Sequence, residues 1–412
     1  MVMHASAAVS RFPLTILIIA AGLASRSAVD KLLTLRGGAE LVALWAQLSS
    51  VIEIVAGVAV AGVGTGLVVY IARAKQPERQ RELLTEALKM GLKVALPVAL
   101  AIGAAGYALS DPLTGGKVAP AVFALAATAG WIAVIPALIN NYWMGRQDYG
   151  LMLGLCLASL AISLFALICA PQRFTLEFLT VSQALPVAVF LLLRTSRPAA
   201  VRFSRRPHPL RRYVLPGLAI GILSPVSMMV SRGSIGDSLS WHDAGVLQAL
   251  FRVTDWVCAL AAGILSLIYL PRFAAARSRQ GLDLQIRDAA RTTLLPAAIA
   301  LAALGFAHRP LLELLYAPGV RASDTATALF FAGSLVRIAA WIPLAALYAM
   351  RRTREITIGE LLSLPLFAAL TLAAGRHLTL ELAGAFWLIS YSAYGAYNLR
   401  AMRGSRQKIP AP

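Results

Sequence analysis

A train of apolar runs, each close to the length that crosses a bilayer, constrains this chain more than any other feature. Twelve are read along the sequence, at 14–35, 41–72, 94–110, 118–142, 151–170, 178–193, 214–234, 244–270, 294–307, 325–350, 356–374 and 382–399. A helix rises about 1.5 Å per residue, so about 20 apolar residues span a hydrocarbon core of ~30 Å. In lipid, only a helix or a closed barrel satisfies its own backbone. Continuous apolar runs of this length point to helices. The expectation is an all-α polytopic membrane protein with twelve transmembrane helices. Composition agrees: 58% of residues are hydrophobic, 14% are charged, and the mean hydropathy is +0.72. The short connections leave no segment to fold as a separate soluble module. The apolar start, Phe12 to Ala24 after Arg11, reads as part of the first span and not as a cleaved leader, because hydrophobicity continues to Leu35. Cys156, Cys169 and Cys258 all fall in spans and read as small core residues.

The net charge is +19. In a soluble protein that surplus would point to nucleic acid; here its placement argues for topology. Basic residues cluster after the second span (Arg73, Lys75, Arg79, Arg81) and after the sixth (Arg194 to Arg212). Further clusters follow the eighth span (Arg272, Arg277, Arg279, Arg287), the tenth (Arg351, Arg352, Arg354) and the twelfth (Arg403, Arg406, Lys408). The alternate connections are nearly bare. By the positive-inside rule both termini are cytoplasmic. Anionic membrane lipids are the expected surface partners, and no nucleic acid is expected.

The Arg-rich connection also carries Pro198, Pro207 and Pro209 and divides the chain into six plus six spans. The expected organisation is an N-terminal lobe at 1–193, a basic cytoplasmic linker at 194–213 and a C-terminal lobe at 214–412. Ser25-Arg26-Ser27 has a counterpart in Ser231-Arg232-Gly233, and Ala39–Val55 aligns without gaps on Ala244–Leu260. Six spans is an even number, so the halves form a parallel repeat. In such folds the interface between repeats, near the midplane, is the expected substrate site.

Charged residues sit deep inside several of these runs. Arg26, Arg232, Arg252 and Arg337 lie there, with Asp30, Glu53, Asp255 and Glu360 at comparable depth. A charge at the bilayer centre costs ~2.5–3.5 kcal/mol even on the lenient insertion scale, so such residues face protein or a wet cavity. Arg26 and Asp30 share a helix face; Gln248, Arg252 and Asp255 form a stripe at spacing 0, 4, 7; Ser334, Arg337 and Trp341 stand at 0, 3, 7. Trp387, Tyr391, Tyr394 and Asn398 form a fourth stripe, with flat faces and polar tips that suit sugar rings. Each set also fits a structural role. Arg26–Asp30 and Arg252–Asp255 can neutralise each other within the bundle, and the aromatic stripe can serve helix packing. Arginine stays protonated and binds phosphate oxygens bidentately, which points to transport of an anionic cargo. The carboxylates are candidates for coupling to a proton or sodium gradient; no bound cofactor is expected. Glycines 57, 62, 64 and 66 and interior prolines such as Pro97, Pro136 and Pro343 permit bends or tight packing. Enzyme motifs such as H-E-x-x-H, G-x-S-x-G and the P-loop are missing, and the five histidines lie in loops or at span ends.

The run Trp241-His-Asp-Ala-Gly-Val-Leu-Gln-Ala-Leu-Phe-Arg-Val-Thr-Asp255, followed by Ile268-Tyr-Leu-Pro271, resembles the Wzx-type flippases of O-antigen and enterobacterial common antigen. Those proteins show a W-x-x-x-G-x-x-Q…D…Y-L-P pattern. The resemblance extends to Gly333–Arg337, where the family has G-D-x-x-K, to Glu360, and to Gly62–Gly66. It implies carry-over of Gln248, Asp255 and Glu360. The family's Asp is Ser334 here and its Lys is Arg337. The first departure puts in doubt an ion-coupling role at that position and leaves Arg337 freer to meet a phosphate. The resemblance further implies the multidrug/oligosaccharidyl-lipid/polysaccharide (MOP) exporter superfamily, with two six-helix lobes around a V-shaped cavity in a bacterial inner membrane. The implied cargo is an undecaprenyl-pyrophosphate-linked oligosaccharide, and the implied partners include a polysaccharide polymerase and a chain-length regulator. The substrate-binding set is then Arg26, Arg232, Gln248, Arg252, Arg337, Trp341, Tyr391 and Tyr394; the coupling set is Asp30, Glu53, Asp255 and Glu360.

Three rivals stand beside this reading. A cation-coupled drug exporter of the same superfamily would favour an acidic cavity, against which the arginines argue. A membrane glycosyltransferase or polymerase needs a large periplasmic loop, and the longest here, about 307–323, is too small. A lipid II flippase usually has fourteen spans.

Overall fold

The computed structural model describes residues 2–74, 76–187, 211–276, 278–350 and 352–406. The sixth apolar run is therefore described only to 187, and 194–210 of the expected linker lie outside the described residues. Among the described residues there is no strand, and the described parts of the expected spans lie mainly on helix, the sixth passing into a turn after Ser182. In chain order these are α1 (Val2–Ala59), α2 (Thr65–Arg73), α3 (Pro77–Thr114), α4 (Pro120–Arg146), α5 (Tyr149–Cys169), α6 (Thr175–Ser182) and α7 (Arg211–Ser238). They are followed by α8 (Trp241–Ile264), α9 (Leu270–Ala275), α10 (Arg279–Phe306), α11 (His308–Leu315), α12 (Asp324–Ala349), α13 (Thr353–Leu361), α14 (Leu364–Ala374) and α15 (Leu380–Arg406).

Eight stretches of described residues are long and apolar enough to cross a membrane. The first, Leu17–Arg73, carries two expected spans, separated where α1 breaks at Gly37 and Gly38. Gly38 has φ 70°, a left-handed conformation that side chains resist. The helix α15 is less apolar than these because Ser390, Tyr391, Tyr394 and Asn398 dilute it; all four are buried in protein. The expected eleventh span is not one helix. It breaks between α13 and α14 at Leu362 and Ser363, just past Glu360, and Pro365 opens the second piece. Ser363 Oγ donates to the Glu360 carbonyl at 2.6 Å, satisfying one backbone group that the break releases.

A π turn interrupts the second and eighth spans, at Val60–Gly64 and at Leu265–Tyr269. Continuing the ungapped alignment of 39–55 with 244–260 places Val60 opposite Leu265, so the two irregular turns fall at matching places. A π turn adds one residue per turn and is tolerated mostly where it has a use. Its recurrence is a backbone likeness between the two aligned stretches.

The chain forms two compact units. One comprises Met1–Arg36 with Leu44–Met229, the other Gly37–Ala43 with Val230–Pro412. In the first, α3 packs along α4 and α2 against α4. Small residues let these backbones approach: a Cβ on Gly130 would lie 2.9 Å from Val55 Cβ, and one on Gly145 2.8 Å from Ile71 Cβ. Arg36 donates to the carbonyls of Ala170 (2.8 Å) and Ile168 (3.2 Å), a cation placed at the C-terminal end of α5. In the second unit, the most extensive contact joins α12 and α15, with α10 along the other side of α12. Gly333 makes that contact close: the Trp387 indole occupies the place a side chain would take. One end of this unit is an apolar cluster including Leu265, Phe273, Leu282, Ile342, Leu347 and Met402. Beside it, Tyr269 of the Tyr-Leu-Pro run donates to Asp288 at 2.9 Å, and Arg272 pairs with that acid at 3.5 Å.

Candidate functional site

The second unit links five other expected site residues, Asp255, Trp341, Tyr391, Tyr394 and Glu360, to the guanidinium of Arg337. Arg337 sits midway along α12, and its Nη1 donates to Asp255 Oδ1 on α8 at 3.1 Å. Three rings surround it, with centroids 4.8 Å (Trp341), 5.6 Å (Tyr391) and 5.8 Å (Trp387) from Cζ. A cation over an aromatic face is worth about 0.5–1 kcal/mol when exposed and about 2 when desolvated. The rings brace one another: Trp387 meets Tyr391 edge-on at 4.5 Å and Tyr391 meets Tyr394 at 5.9 Å. Phe251 of α8 packs on Trp387 at 4.5 Å, and the Trp387 indole N–H donates to Ser334 at 3.3 Å. At the far end of this chain, the Tyr394 hydroxyl donates to Glu360 Oε1 at 2.8 Å. Asp255, Arg337, the three rings, Tyr394 and Glu360 thus form one continuous polar and aromatic path through the unit. Arg337 Nε is buried with no hydrogen-bond partner.

A second pair lies in the same unit. Arg232 is buried, and its Nη1 donates to Gln248 Oε1 at 2.9 Å. Arg252, the middle residue of the α8 stripe, is half-buried. In the first unit, Arg26 approaches Glu53 at 4.0 Å, with more than half of each side chain exposed; Asp30 is buried.

Two ion pairs join neighbouring spans: Asp255 pairs with Arg337, and Arg26 approaches Glu53. Spacing along one helix names only neighbours on that helix, whereas a long arginine reaches an adjacent helix as readily. The aromatic stripe of α15 changes character. Trp387, Tyr391, Tyr394 and Asn398 are all buried, so in this conformation their faces hold Arg337 and the core, and none is an open platform for a sugar. The histidines are not all peripheral either. His308 is buried beside Asp324, with Nε2 at 3.3 Å from Oδ1. The sequence signal for it was weak, a lone His at a span end followed by an acid 16 positions on. Ser334 as a seat for Trp387 was equally hidden, since the two are distant in sequence.

No family model and no curated protein matches this chain. Solved structures do. An inward-facing multidrug resistance MATE family transporter of the MOP superfamily superposes with a TM-score of 0.70 at 14% identity, covering 97% of this chain and 94% of the other. A MOP superfamily transporter from Pyrococcus furiosus, described as having a binding pocket of reverse polarity that suggests a different function, gives 0.68 at 13%, covering 97% and 95%. A MATE protein in complex with MaD3S gives 0.67 at 13%, covering 98% and 95%. The chain therefore has the fold of MOP superfamily transporters, a multi-pass arrangement of membrane helices.

Proposed function

We propose that this protein is a membrane transporter that moves an undecaprenyl-pyrophosphate-linked oligosaccharide from the cytoplasmic to the periplasmic leaflet, for surface polysaccharide assembly. The observation that carries this reading is the Arg337–Asp255 pair, set among rings in the middle of apolar helices. Burying two charges costs several kcal/mol per ion, so such a pair is a poor device for stability alone. It is a good device for exchange, because a pyrophosphate can take the carboxylate's place at the guanidinium through charge-assisted bonds. The displaced Asp255 then becomes a group able to take up a proton, and cargo and proton share one arginine, the differential interaction that coupled transport requires. Arg232 with Gln248 supplies a second cation, and the half-exposed Arg26–Glu53 pair at mid-span depth requires water beside it. The Pyrococcus furiosus neighbour, described as having a binding pocket of reverse polarity that suggests a different function, is consistent with this fold not being tied to one pocket polarity. The inner membrane, the cytoplasmic termini and the polymerase and chain-length partners belong to the same proposal.

A cation-coupled exporter of small molecules is the second reading. It is favoured by the multidrug transporters among the fold neighbours and by the acids, Asp255 and Glu360, that stand along the Arg337 path. Vesicles reconstituted with the protein separate the two. Translocation of a polyprenyl-pyrophosphate glycan, lost in Arg337→Ala, supports the flippase; gradient-driven efflux of a cationic dye with no glycan movement overturns it. In cells, deleting the gene should make one lipid-linked oligosaccharide accumulate on the cytoplasmic leaflet.

A further inference from the structure

We propose that the second unit carries a phospholipid site, separate from the arginine centre and independent of the cargo: a groove between α10 and α12 whose walls hold an acyl chain and whose polar end holds the headgroup. The groove encloses about 640 Å³. Its cause is legible in the residues. Ala298 and Ala302 on α10, and Ala328 and Ala332 on α12, are two pairs at i, i+4 on the facing sides. Four methyl groups leave open a channel that larger side chains would fill. From Ala298 to Phe306 the α10 wall runs roughly 12 Å.

The polar end holds a buried hydroxyl without a partner: Thr327 Oγ1 is buried and makes no hydrogen bond. Beside it the buried His308 ring lies between the Gly305 carbonyl, 2.8 Å from Nδ1, and Asp324 Oδ1, 3.3 Å from Nε2. A buried hydroxyl without a partner costs ~1–3 kcal/mol, and buried polar atoms in native proteins are nearly all met by protein or water. Arg309 stands at the same end. It spends only Nη2 on Asp324, at 2.9 and 2.8 Å to the two oxygens, which leaves its other guanidinium donors for a second anion.

A phosphate answers both Thr327 and Arg309, since its oxygens accept from each. The apolar wall selects a lipid over a soluble anion, and Phe306 at the groove's mouth is 97% exposed, as a lipid-facing residue is. A lipid without phosphate would leave Arg309 and Thr327 unmet.

The test is native mass spectrometry of the delipidated full-length protein with phosphatidylglycerol, with diacylglycerol of the same chains, and with inorganic phosphate. The proposal expects retained phosphatidylglycerol, at least tenfold weaker retention of diacylglycerol, and no retention of inorganic phosphate. Ala302→Phe, which fills the groove from its exposed rim, should reduce phosphatidylglycerol binding tenfold or more. The near-isosteric Thr327→Val and Arg309→Gln should each reduce it severalfold without lowering Tm by more than a few degrees. Equal retention of diacylglycerol, or unchanged binding in Ala302→Phe, overturns the site. Inorganic phosphate bound alone with the same dependence on Thr327 and Arg309 would make it a soluble-anion site and overturns the lipid.

Discussion

Removing the Asp255 carboxylate tests the centre most directly. Arg337 is the more buried partner, with 20% of its side chain exposed against 37% for Asp255, and its Nε already lacks a hydrogen bond. Breaking a fully buried ion pair from one side costs about 3–5 kcal/mol, because the remaining charge is left uncompensated. The partial exposure of Asp255 scales this down, and the three rings continue to hold the cation, so Asp255→Ala is expected to cost about 2–3 kcal/mol. Asp255→Asn keeps an acceptor near Nη1 and loses only the charge, which exchanges a charged for a neutral hydrogen bond and costs about 1 kcal/mol. Replacing both partners, as Asp255→Ala with Arg337→Met, removes the stranded charge, so the double variant should be more stable than Asp255→Ala alone. Thermal unfolding in lipid nanodiscs reads this order, with roughly 2 °C or less per kcal/mol for a chain of this size. Glycan translocation reads the function: Asp255→Asn should still move cargo but lose its response to an imposed pH gradient, whereas the double variant should move none. A double variant no more stable than Asp255→Ala refutes the coupling of the two residues. A wild-type gradient response in Asp255→Asn refutes the shared-arginine exchange and turns attention to Glu360 and Glu53.

Four further outcomes are expected. Tyr394→Phe removes the donor to Glu360 and should cost about 1–2 kcal/mol, read as a lowered Tm; no change would show that the carboxylate finds another donor. Gly333→Ala forces the Trp387 indole out of its seat and should cost about 1–3 kcal/mol while shifting tryptophan fluorescence to the red. Ser323 caps α12 by accepting from the Ala326 N–H at 3.2 Å and donates to Glu381 on α15. That hydrogen bond holds the Glu381 carboxyl below its ordinary value. Its stabilising effect is present above the unfolded-state value and is lost as pH falls through the lower folded value, so Ser323→Ala should destabilise at neutral pH and lose part of its effect in acid. Finally, single cysteines at positions 204 and 115 in a cysteine-free background should label from opposite sides of the membrane, position 204 from the cytoplasm; labelling of both from one side would sink the twelve-span topology.

Legibility differed sharply between scaffold and site. The helices were readable because a bilayer imposes one rule on every span, that its backbone satisfy itself, and hydropathy reports compliance residue by residue. The alignment of 39–55 on 244–260 was readable too, but the π turns that follow it in each stretch were not. The break after Glu360 was not, because Ser363 and Pro365 sit in a run whose hydropathy never falters. Charged positions were visible as anomalies, but their partners were not. Arg337 has no acid one turn away, and its partner Asp255 lies 82 positions earlier. The stripe at Trp387, Tyr391 and Tyr394 showed which residues share a face, yet a flat aromatic face suits a sugar and a guanidinium alike.

By itself, then, the sequence determined that this chain crosses a membrane many times as helices, that its halves repeat, and that a few charges are kept where lipid would reject them. The tertiary structure decided which charge meets which: Asp255 on α8 to Arg337 on α12, Tyr394 on α15 to Glu360 on α13, and His308 beside Asp324 at the mouth of a groove. The physical reason is range. Hydropathy and capping act within one helix, where sequence neighbours are spatial neighbours, whereas ion pairs, cation–ring contacts and cavities form between helices, and their geometry is set only once close contacts such as Gly333 against Trp387 fix how two helices pack.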